Sequence, residues 1–427
     1  MKSHAKNRIS APLSIALVSL GCAKNAVDLQ NKAGALLKKG FVLSPDPDNA
    51  DIVIVNTCSF IASAREEAEA EILRALELKK LGNYKKVVVS GCYPQRYPEM
   101  KDRFPGVDSW DGVPEKWVEP GMPGFRLTGK AYAYLKIAEG CAHRCAYCAI
   151  PLIRGKYRSR PIKAIVKEAS ALLATGCREL NIVAQDPMLY GIDFPAKKRR
   201  PHLVKLLREL DKLEGDFWIR VLYSYPNEIS AEFIEWMNTS PHAVKYIDVP
   251  LQHTVPEVLE KMNRGAAAEA SRIAAEALRA SIDGVTLRTT IMTGFPGETE
   301  TRFAAMLRDL KRMQFDYTGV FSYSPEEGTP AMKLRPSASR KTAEERREKV
   351  IEEAEKIWAV KAQRMIGKTY RALVVAPRIA RMASQAPDVD GVVLLKNNAK
   401  LRNVQPGDFA NVRLVKSNGY DFEGVIA

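Results

Sequence analysis

The sequence predicts an α/β chain in three parts: an N-terminal parallel sheet, a central incomplete (β/α)6 barrel and a small C-terminal antiparallel β-barrel. Three observations carry this expectation. Short β-branched runs alternate with longer helical stretches from Ser14 to Tyr323. A stretch dense in proline and glycine, Pro105 to Lys130, interrupts that alternation once. After Ile366 the chain changes to short strand-like runs separated by turn dipeptides.

Taken in order, the runs Ser14–Leu20, Asp51–Val55 and Lys86–Val89 read as buried strands, with helical stretches Ala26–Lys39 and Ala62–Lys80 between them. Strand-helix-strand alternation gives a parallel sheet, and in such a sheet function gathers at the carboxyl ends of the strands. Each run leads directly into a cysteine: Gly21-Cys22, Asn56-Thr57-Cys58 and Ser90-Gly91-Cys92. The linker carries Pro105-Gly106, Gly112, Pro114, Pro120-Gly121 and Pro123-Gly124. Beyond it, Tyr134–Ala138, Glu179–Ala184, Trp218–Tyr223, Tyr246–Pro250, Thr286–Met292 and Tyr317–Tyr323 alternate with helices such as Ala164–Thr175 and Ala266–Ser281, which suggests an open α/β barrel. Ser339 to Ile366 is charge-rich with spaced apolar residues, Val350, Ile351, Ile357, Trp358 and Val360, the pattern of an amphipathic helix. Tyr370–Val375, Gly391–Leu395, Asn411–Val415 and Phe422–Ile426, divided by Gly407-Asp408 and Asn418-Gly419, complete the terminal barrel. The expected divisions are residues 12–120, 131–335, a linker helix 336–365, and 366–427.

The chain has 427 residues, with 65 Lys and Arg against 50 Asp and Glu, a net charge of +15. That balance favours nucleic acid, ribonucleoprotein or anionic cofactors as partners and says nothing about chemistry. No stretch approaches the ~18 uninterrupted apolar residues of a membrane span. Seven cysteines, an odd number, follow a basic start that lacks the apolar core of a secretory signal. The expected setting is a reducing cytoplasm, where clustered thiols serve metals or redox chemistry more often than disulfides.

The first strand of the second domain runs directly into Glu139-Gly140-Cys141-Ala142-His143-Arg144-Cys145-Ala146-Tyr147-Cys148. Three thiolates in eight residues, with no fourth cysteine nearby, can bind three irons of a cubane and leave one open. An open iron can chelate S-adenosylmethionine and reduce it to a 5′-deoxyadenosyl radical. A structural zinc site needs four ligands in two close pairs, and nothing adjacent supplies the second pair. His143 reads as an exposed loop residue or an additional ligand, and Cys177 as structural.

The spacing C-x3-C-x2-C at Cys141, Cys145 and Cys148 resembles the radical S-adenosylmethionine superfamily. Cys22, Cys58 and Cys92 ahead of it, with a small β domain behind, make the chain similar to the methylthiotransferase family of that superfamily. The resemblance implies two 4Fe-4S clusters, one on each triad, with an N-terminal methylthiotransferase domain, a radical barrel and a C-terminal TRAM domain. It is strongest to the branch that modifies the β-carbon of an aspartate in the twelfth small-subunit ribosomal protein, through Val18–Asn25, Val55–Ile61, Ala149–Arg160 and Pro250-Leu251-Gln252-His253. The alternative substrate is a modified adenosine in transfer RNA. A non-catalytic RNA-binding protein with redox-sensing clusters is the rival of another class. Gln185-Asp186-Pro187-Met188 and Gly91-Cys92-Tyr93-Pro94 depart from the family pattern.

By the same resemblance, Gly294 and Gly297 in Thr293–Glu298 lie near the adenine of S-adenosylmethionine. Gln185, Arg220 and Gln252, at the ends of successive barrel strands, are its expected contacts, with Asp186, Tyr223 and His253 beside them. Tyr147 either packs on the adenine or is a buried loop aromatic. Arg154, Lys156, Arg158 and Arg160 form either a solvated loop or a cradle for an anion. Lys197-Lys198-Arg199-Arg200 reads as solvated, or as drawn to nearby ribosomal RNA. The expected partners are a small-subunit ribosomal protein and an electron donor such as a flavodoxin or ferredoxin, with no membrane.

Overall fold

The computed structural model of the chain describes residues 11–115, 117, 124–195, 201–397 and 399–427. The Lys197–Arg200 tract, the basic start and residues Pro120, Gly121 and Pro123 of the linker lie outside them. The chain divides into two compact units, the first ending at Leu127 and the second running from Thr128 to Ala427.

The first unit contains β1 (Ser14–Ser19), α1 (Ala23–Lys38), β2 (Val42–Leu43), β3 (Ala50–Thr57), α2 (Ala62–Lys80), β4 (Tyr84–Gly91), α3 (Cys92–Arg96) and β5 (Ser109–Asp111). Its sheet is parallel throughout, in the order β2-β1-β3-β4-β5. The outermost strands, β2 and β5, were absent from the sequence reading because two or three residues give no periodicity to read. Val53, Val55, Val87 and Val89 pack with Ala68, Ile72 and Ala75 of α2 in one core. Burying each Val or Ile side chain fully contributes about 1.5–3 kcal/mol, which sets the strand register that the cysteines depend on.

The second unit begins with β6 (Tyr132–Lys136), β7 (Ala138–Glu139), α4 (Ile150–Arg154), β8 (Arg158–Ser159), α5 (Ile162–Ala174), β9 (Glu179–Val183) and α6 (Leu203–Leu210). It continues with β10 (Trp218–Val221), α7 (Ala231–Thr239), β11 (Tyr246–Gln252), α8 (Pro256–Lys261), α9 (Ala268–Ser281), β12 (Thr286–Thr293), α10 (Glu300–Met313) and β13 (Tyr317–Ser322). The six barrel strands form two parallel three-stranded sheets, β6-β9-β10 and β11-β12-β13. Between β10 and β11 only scattered bonds cross the seam, among them Ser224 N to Asp248 O at 2.7 Å and Val244 N to Ile219 O at 2.9 Å. β12 alternates buried Leu287, Thr289, Ile291 and Thr293 with half-buried residues, as an inward and an outward face require. α11 (Arg340–Met365) starts at Ser339, whose side chain accepts from Thr342 N, and lies along β13. Its buried residues Ala343, Arg346, Val350, Ala354, Ile357, Trp358 and Ala362 recur at three- and four-residue spacing, so one face covers the open side of the barrel.

The terminal strands β14 (Thr369–Ala376), β15 (Ile379–Met382), β16 (Val393–Leu395), β17 (Phe409–Asn418) and β18 (Asp421–Ile426) close in the order β14-β15-β16-β18-β17. All pairs are antiparallel but β16–β18, which is parallel. Five strands are an odd number, and an odd ring cannot alternate direction all the way round.

This small barrel packs against the amino ends of the large one. Tyr132, at the start of β6, and Tyr134 donate to Asp388 at 3.0 and 2.6 Å. Glu179, at the start of β9, pairs with Arg381 and with Arg220, the latter at 2.7 Å. Trp218, at the start of β10, meets Phe409 with ring centroids 4.8 Å apart. Tyr246 of β11 donates to Asp390 at 2.5 Å, Arg288 of β12 pairs with Asp390 at 3.2 Å, and Tyr317 of β13 lies 5.7 Å from Tyr420. Every one of the six barrel strands thus contributes a side chain to one floor. Among the described residues, no helix is long and apolar enough to cross a membrane.

Candidate metal centres and cofactor site

The first three cysteines converge because β1, β3 and β4 are neighbours in matched register. Ser19 pairs with Asn56, Asn56 with Ser90, and Thr57 with Gly91, so the residues that follow leave the sheet side by side. Gly21, at φ +89°, makes the closest approach possible, since a Cβ there would lie 2.8 Å from Cys58 Cβ and 3.3 Å from its Sγ. Gly91, at φ +98°, passes Thr57 O equally closely, a Cβ falling 2.7 Å from it. Buried Asn25 ties the edge together: its Nδ2 donates to Leu20 O at 2.8 Å and Thr57 O at 3.1 Å, and its carbonyl accepts from Asn56 Nδ2 at 2.9 Å. Cys92 Sγ lies 3.9 Å from Asn25 Oδ1, and Ser59 Oγ donates to Cys92 O at 2.9 Å. Cys92 is buried, Cys58 half-buried and Cys22 exposed, so the thiols line a site open on one side.

The second triad lies on the loop after β7. Gly140, at φ +74°, lets that loop pass close to the backbone ahead of β8; a Cβ there would stand 2.2 Å from Lys156 O. Cys148 N donates to Cys145 O at 3.1 Å, and Ala146 N to Met262 O at 2.8 Å. Burial pushes the Cys141 and Cys148 thiols up to about 12, so at neutral pH they are protonated without metal and must release protons to bind it. The structure links none of the seven cysteines in a disulfide. Among the described residues, no three His, Cys, Asp or Glu side chains close on a position for a single ion. A cubane takes each thiolate at a separate iron, so a triad of thiols around an open corner is the donor set it requires.

Around the second triad the carboxyl ends of the barrel strands supply polar groups. Gln185 Nε2 donates to Glu139 Oε1 at 2.8 Å, while its buried Oε1 has no partner. Burial alone would raise the Glu139 pKa, but Lys136 at 2.8 Å and Arg154 at 3.1 Å hold it well below the usual carboxylate range. Ser224 Oγ is likewise buried and without a partner. Gln252 ends β11 at φ +68°, in the left-handed region, and turns the chain into buried His253. His253 Nδ1 accepts from Val255 N at 3.0 Å, which puts the ring proton on Nε2; that nitrogen lies 3.3 Å from Glu298 Oε2 without a hydrogen bond between them. Glu298 accepts through Oε1 from Gly294 N at 2.9 Å and from Arg346 Nη1 at 2.8 Å, locking the Gly294 turn to α11. Tyr147 stands edge-on to Phe295 with centroids 6.3 Å apart, beside that turn.

Comparison with known proteins agrees with this arrangement. Residues 135–310 match the Radical SAM superfamily, residues 14–112 the Uncharacterized protein family UPF0004, and residues 366–426 the TRAM domain. The ribosomal protein uS12 methylthiotransferase RimO of Syntrophus aciditrophicus (strain SB) is 38% identical over 444 residues, covering 96% of this chain and 97% of its own. That of Geobacter sulfurreducens is 38% identical over 457 residues, covering 99% of each. The chain belongs to the RimO family of radical S-adenosylmethionine methylthiotransferases. Among solved structures, the radical S-adenosylmethionine methyltransferase TsrM from Kitasatospora setae, with tryptophan and a SAM analog bound, shares the fold. Its TM-score is 0.53 at 15% identity, over 81% of this chain and 89% of that one.

Several residues singled out in the sequence turn out to do other work in this RimO-family chain. Arg220 does not face the cofactor end: it is fully buried at the floor, bonded to Glu179 and, at 2.8 Å, to Ala383 O of the terminal barrel. A strand position fixes how far along the barrel a residue sits, and the long Arg side chain then reaches back toward the amino end. Two members of the basic run after the cysteines, Arg154 and Arg160, are tied into the protein. Arg154 turns inward to Glu139 and Arg160 to Glu168 at 2.6 Å, while Arg158 is half-buried and Lys156 is exposed. Gly294 and Gly297 make room for protein: a Cβ would meet Ala343 Cβ at 2.3 Å and Lys261 Cδ at 2.7 Å respectively. His143 is held as a hydrogen-bonded ring, 2.6 Å from Asp186 Oδ2 and stacked on Tyr225 at 4.0 Å. Cys177 is buried in the main core, its Sγ 3.3 Å from Glu179 O, as a structural thiol would be. Glu298, which the sequence gives only as the end of a glycine motif, and Tyr225 and Arg264, which carry no signal there, are buried or half-buried groups that brace the site.

Proposed function

We propose that this chain attaches a methylthio group to the β-carbon of an aspartate in ribosomal protein uS12, using S-adenosylmethionine and two 4Fe-4S clusters. One observation carries the reading: full-length similarity to uS12 methylthiotransferases coincides with two thiol triads, each gathered at the carboxyl edge of a parallel sheet. Cys141, Cys145 and Cys148 hold one cluster with an open corner, and Cys22, Cys58 and Cys92 hold the other. Bound there, the clusters and S-adenosylmethionine supply the electron, the hydrogen-abstracting radical, the sulfur and the methyl group.

The chain's own residues position and exclude. Gln185, fixed through its amide nitrogen by Glu139, presents its unpartnered oxygen as an acceptor for S-adenosylmethionine. Gln252 and Tyr147 are its remaining proposed contacts, beside the Gly294 turn that Glu298 and Arg346 hold rigid. A cleft of about 480 Å³ lined by Met188, Lys205, Glu228 and Phe233, beyond Asp186, has room for a substrate side chain. The functional divisions on this reading are residues 12–120, 131–335, 336–365 and 366–427, in a cytoplasmic enzyme. A flavodoxin or ferredoxin donates electrons, and the basic chain attracts ribosomal RNA near its target.

Methylthiolation of a modified adenosine in transfer RNA is not favoured, because the full-length relatives bear the ribosomal-protein name. The deciding experiment incubates the reconstituted protein with uS12 and, separately, with transfer RNA. A mass gain of one methylthio group on a uS12 aspartate peptide is expected; a gain on transfer RNA alone refutes the reading.

A further inference from the structure

Arg264 is 4% exposed, yet among the described residues its guanidinium bonds to a thiol and a backbone carbonyl and to no carboxylate. Its Nη1 donates to Cys145 Sγ at 3.7 Å and its Nη2 to Pro250 O at 2.8 Å, while Nε has no partner. The guanidinium lies over the Tyr225 ring, 4.1 Å from its centroid. A cation taken this far out of water is costly unless an anion faces it. Among the described residues, the thiol bonded to it is that of the middle cysteine of the second triad.

The residues before it grip the same loop. Met262 O accepts from Ala146 N at 2.8 Å, and Asn263, at φ +55°, donates through Nδ2 to Arg144 O at 2.7 Å. Met262, Asn263 and Arg264 therefore hold Arg144, Cys145 and Ala146, residue against residue, and only the last of the three contacts carries charge.

We propose that Arg264 is a positioning residue of the second triad: its guanidinium is the counter-charge of the Cys145 thiolate, keeps that sulfur at its corner of the cluster and draws electron density from it. The inference rests on the proposed cluster at Cys141, Cys145 and Cys148. Hydrogen bonds and charge beside a cluster sulfur set its reduction potential, and a fixed cation favours the more negative, reduced state. Loss of Arg264 should make that cluster harder to reduce.

The test reconstitutes the full chain anaerobically as wild type, Arg264→Gln and Arg264→Lys, and measures iron per chain, far-UV circular dichroism and an EPR-monitored redox titration. Arg264→Gln is expected to keep the wild-type dichroism and titrate at a more negative potential, with Arg264→Lys recovering part of the shift. A folded Arg264→Gln protein that loses about half its iron also supports the proposal, because the thiolate is no longer held. Wild-type potential and iron in folded Arg264→Gln overturn it. If Arg264→Gln fails to fold, Arg264→Lys decides on the same potential, a negative shift supporting and a wild-type value overturning. A wild-type chain whose Cys141, Cys145 and Cys148 bind no iron defeats the cluster reading itself, a failure visible before any variant is compared.

Discussion

Arg381→Met would test whether the terminal barrel is fastened to the floor by buried charge. Arg381 is 2% exposed, pairs with fully buried Glu179, donates to Gln385 O at 2.7 Å and lies over Tyr132 at 4.9 Å. Removing one member of a buried ion pair costs about 3–5 kcal/mol, since it leaves the other charge uncompensated. Here Arg220 still faces Glu179 at 2.7 Å, which places the Glu179 share at the low end. The orphaned Gln385 carbonyl adds about 1 kcal/mol. The expected loss is about 4 kcal/mol, read from urea unfolding followed by tryptophan emission. Trp218 is the local reporter, because it packs on Phe409 across the same contact. Glu179→Gln should cost at least as much, because it leaves two guanidinium groups facing a neutral amide. A loss under about 1 kcal/mol for Arg381→Met, the worth of an exposed pair, would refute the claim that this network fastens the barrel.

Three further outcomes are expected. Cys22→Ala, Cys58→Ala, Cys92→Ala protein, reconstituted anaerobically, should bind about four irons where wild type binds about eight, counting four per cubane; iron analysis that still finds about eight removes the first triad from the assignment. Gly21→Ala should lose iron at the same triad, because an L-residue at φ +89° costs about 1–2 kcal/mol and its Cβ displaces Cys58; an unchanged iron count would contradict the close approach. Burial would raise the Glu179 pKa, but Arg381 and Arg220 bring it below the ordinary value. Its stabilisation is therefore complete above the unfolded value of about 4.3 and lost as pH falls through the lower folded value. The stability gap between wild type and Glu179→Gln should stay constant from neutral pH to about 5 and shrink below about 4, and a gap that widens in acid would reverse the sign.

The strand-end cysteines were legible because a parallel sheet needs only three β-branched runs in sequence to bring their carboxyl ends to one edge, and Cys22, Cys58 and Cys92 follow those runs within three residues. The C-x3-C-x2-C loop was legible for the same local reason. What escaped the sequence is what depends on direction and distance. Arg220 stands on the expected strand but points to the opposite end of the barrel, toward Arg381 and Ala383, more than a hundred and fifty residues away. Arg154 and Arg160 belong to one basic run by sequence, yet they answer different buried carboxylates, Glu139 and Glu168, that no spacing rule connects to them. Gly294 reads as a ligand cradle, and only the packing of Ala343 shows that a helix uses the space. Arg264 carries no signal of its own, because a lone arginine after a helix is ordinary until its thiol partner, 119 positions earlier, is seen.

The position of the small barrel has a consequence for reach. β11 has seven residues, so its floor end and its mouth end are about 20 Å apart at 3.3 Å per residue. Anything gripped on the small barrel is held at one end of that length, and Cys141, Cys145 and Cys148 are at the other. A target recognised at both ends must therefore bridge the full height of the barrel along its outside. A short peptide can satisfy the chemistry and still miss the grip, so the two can be separated by trimming the target and leaving the enzyme intact.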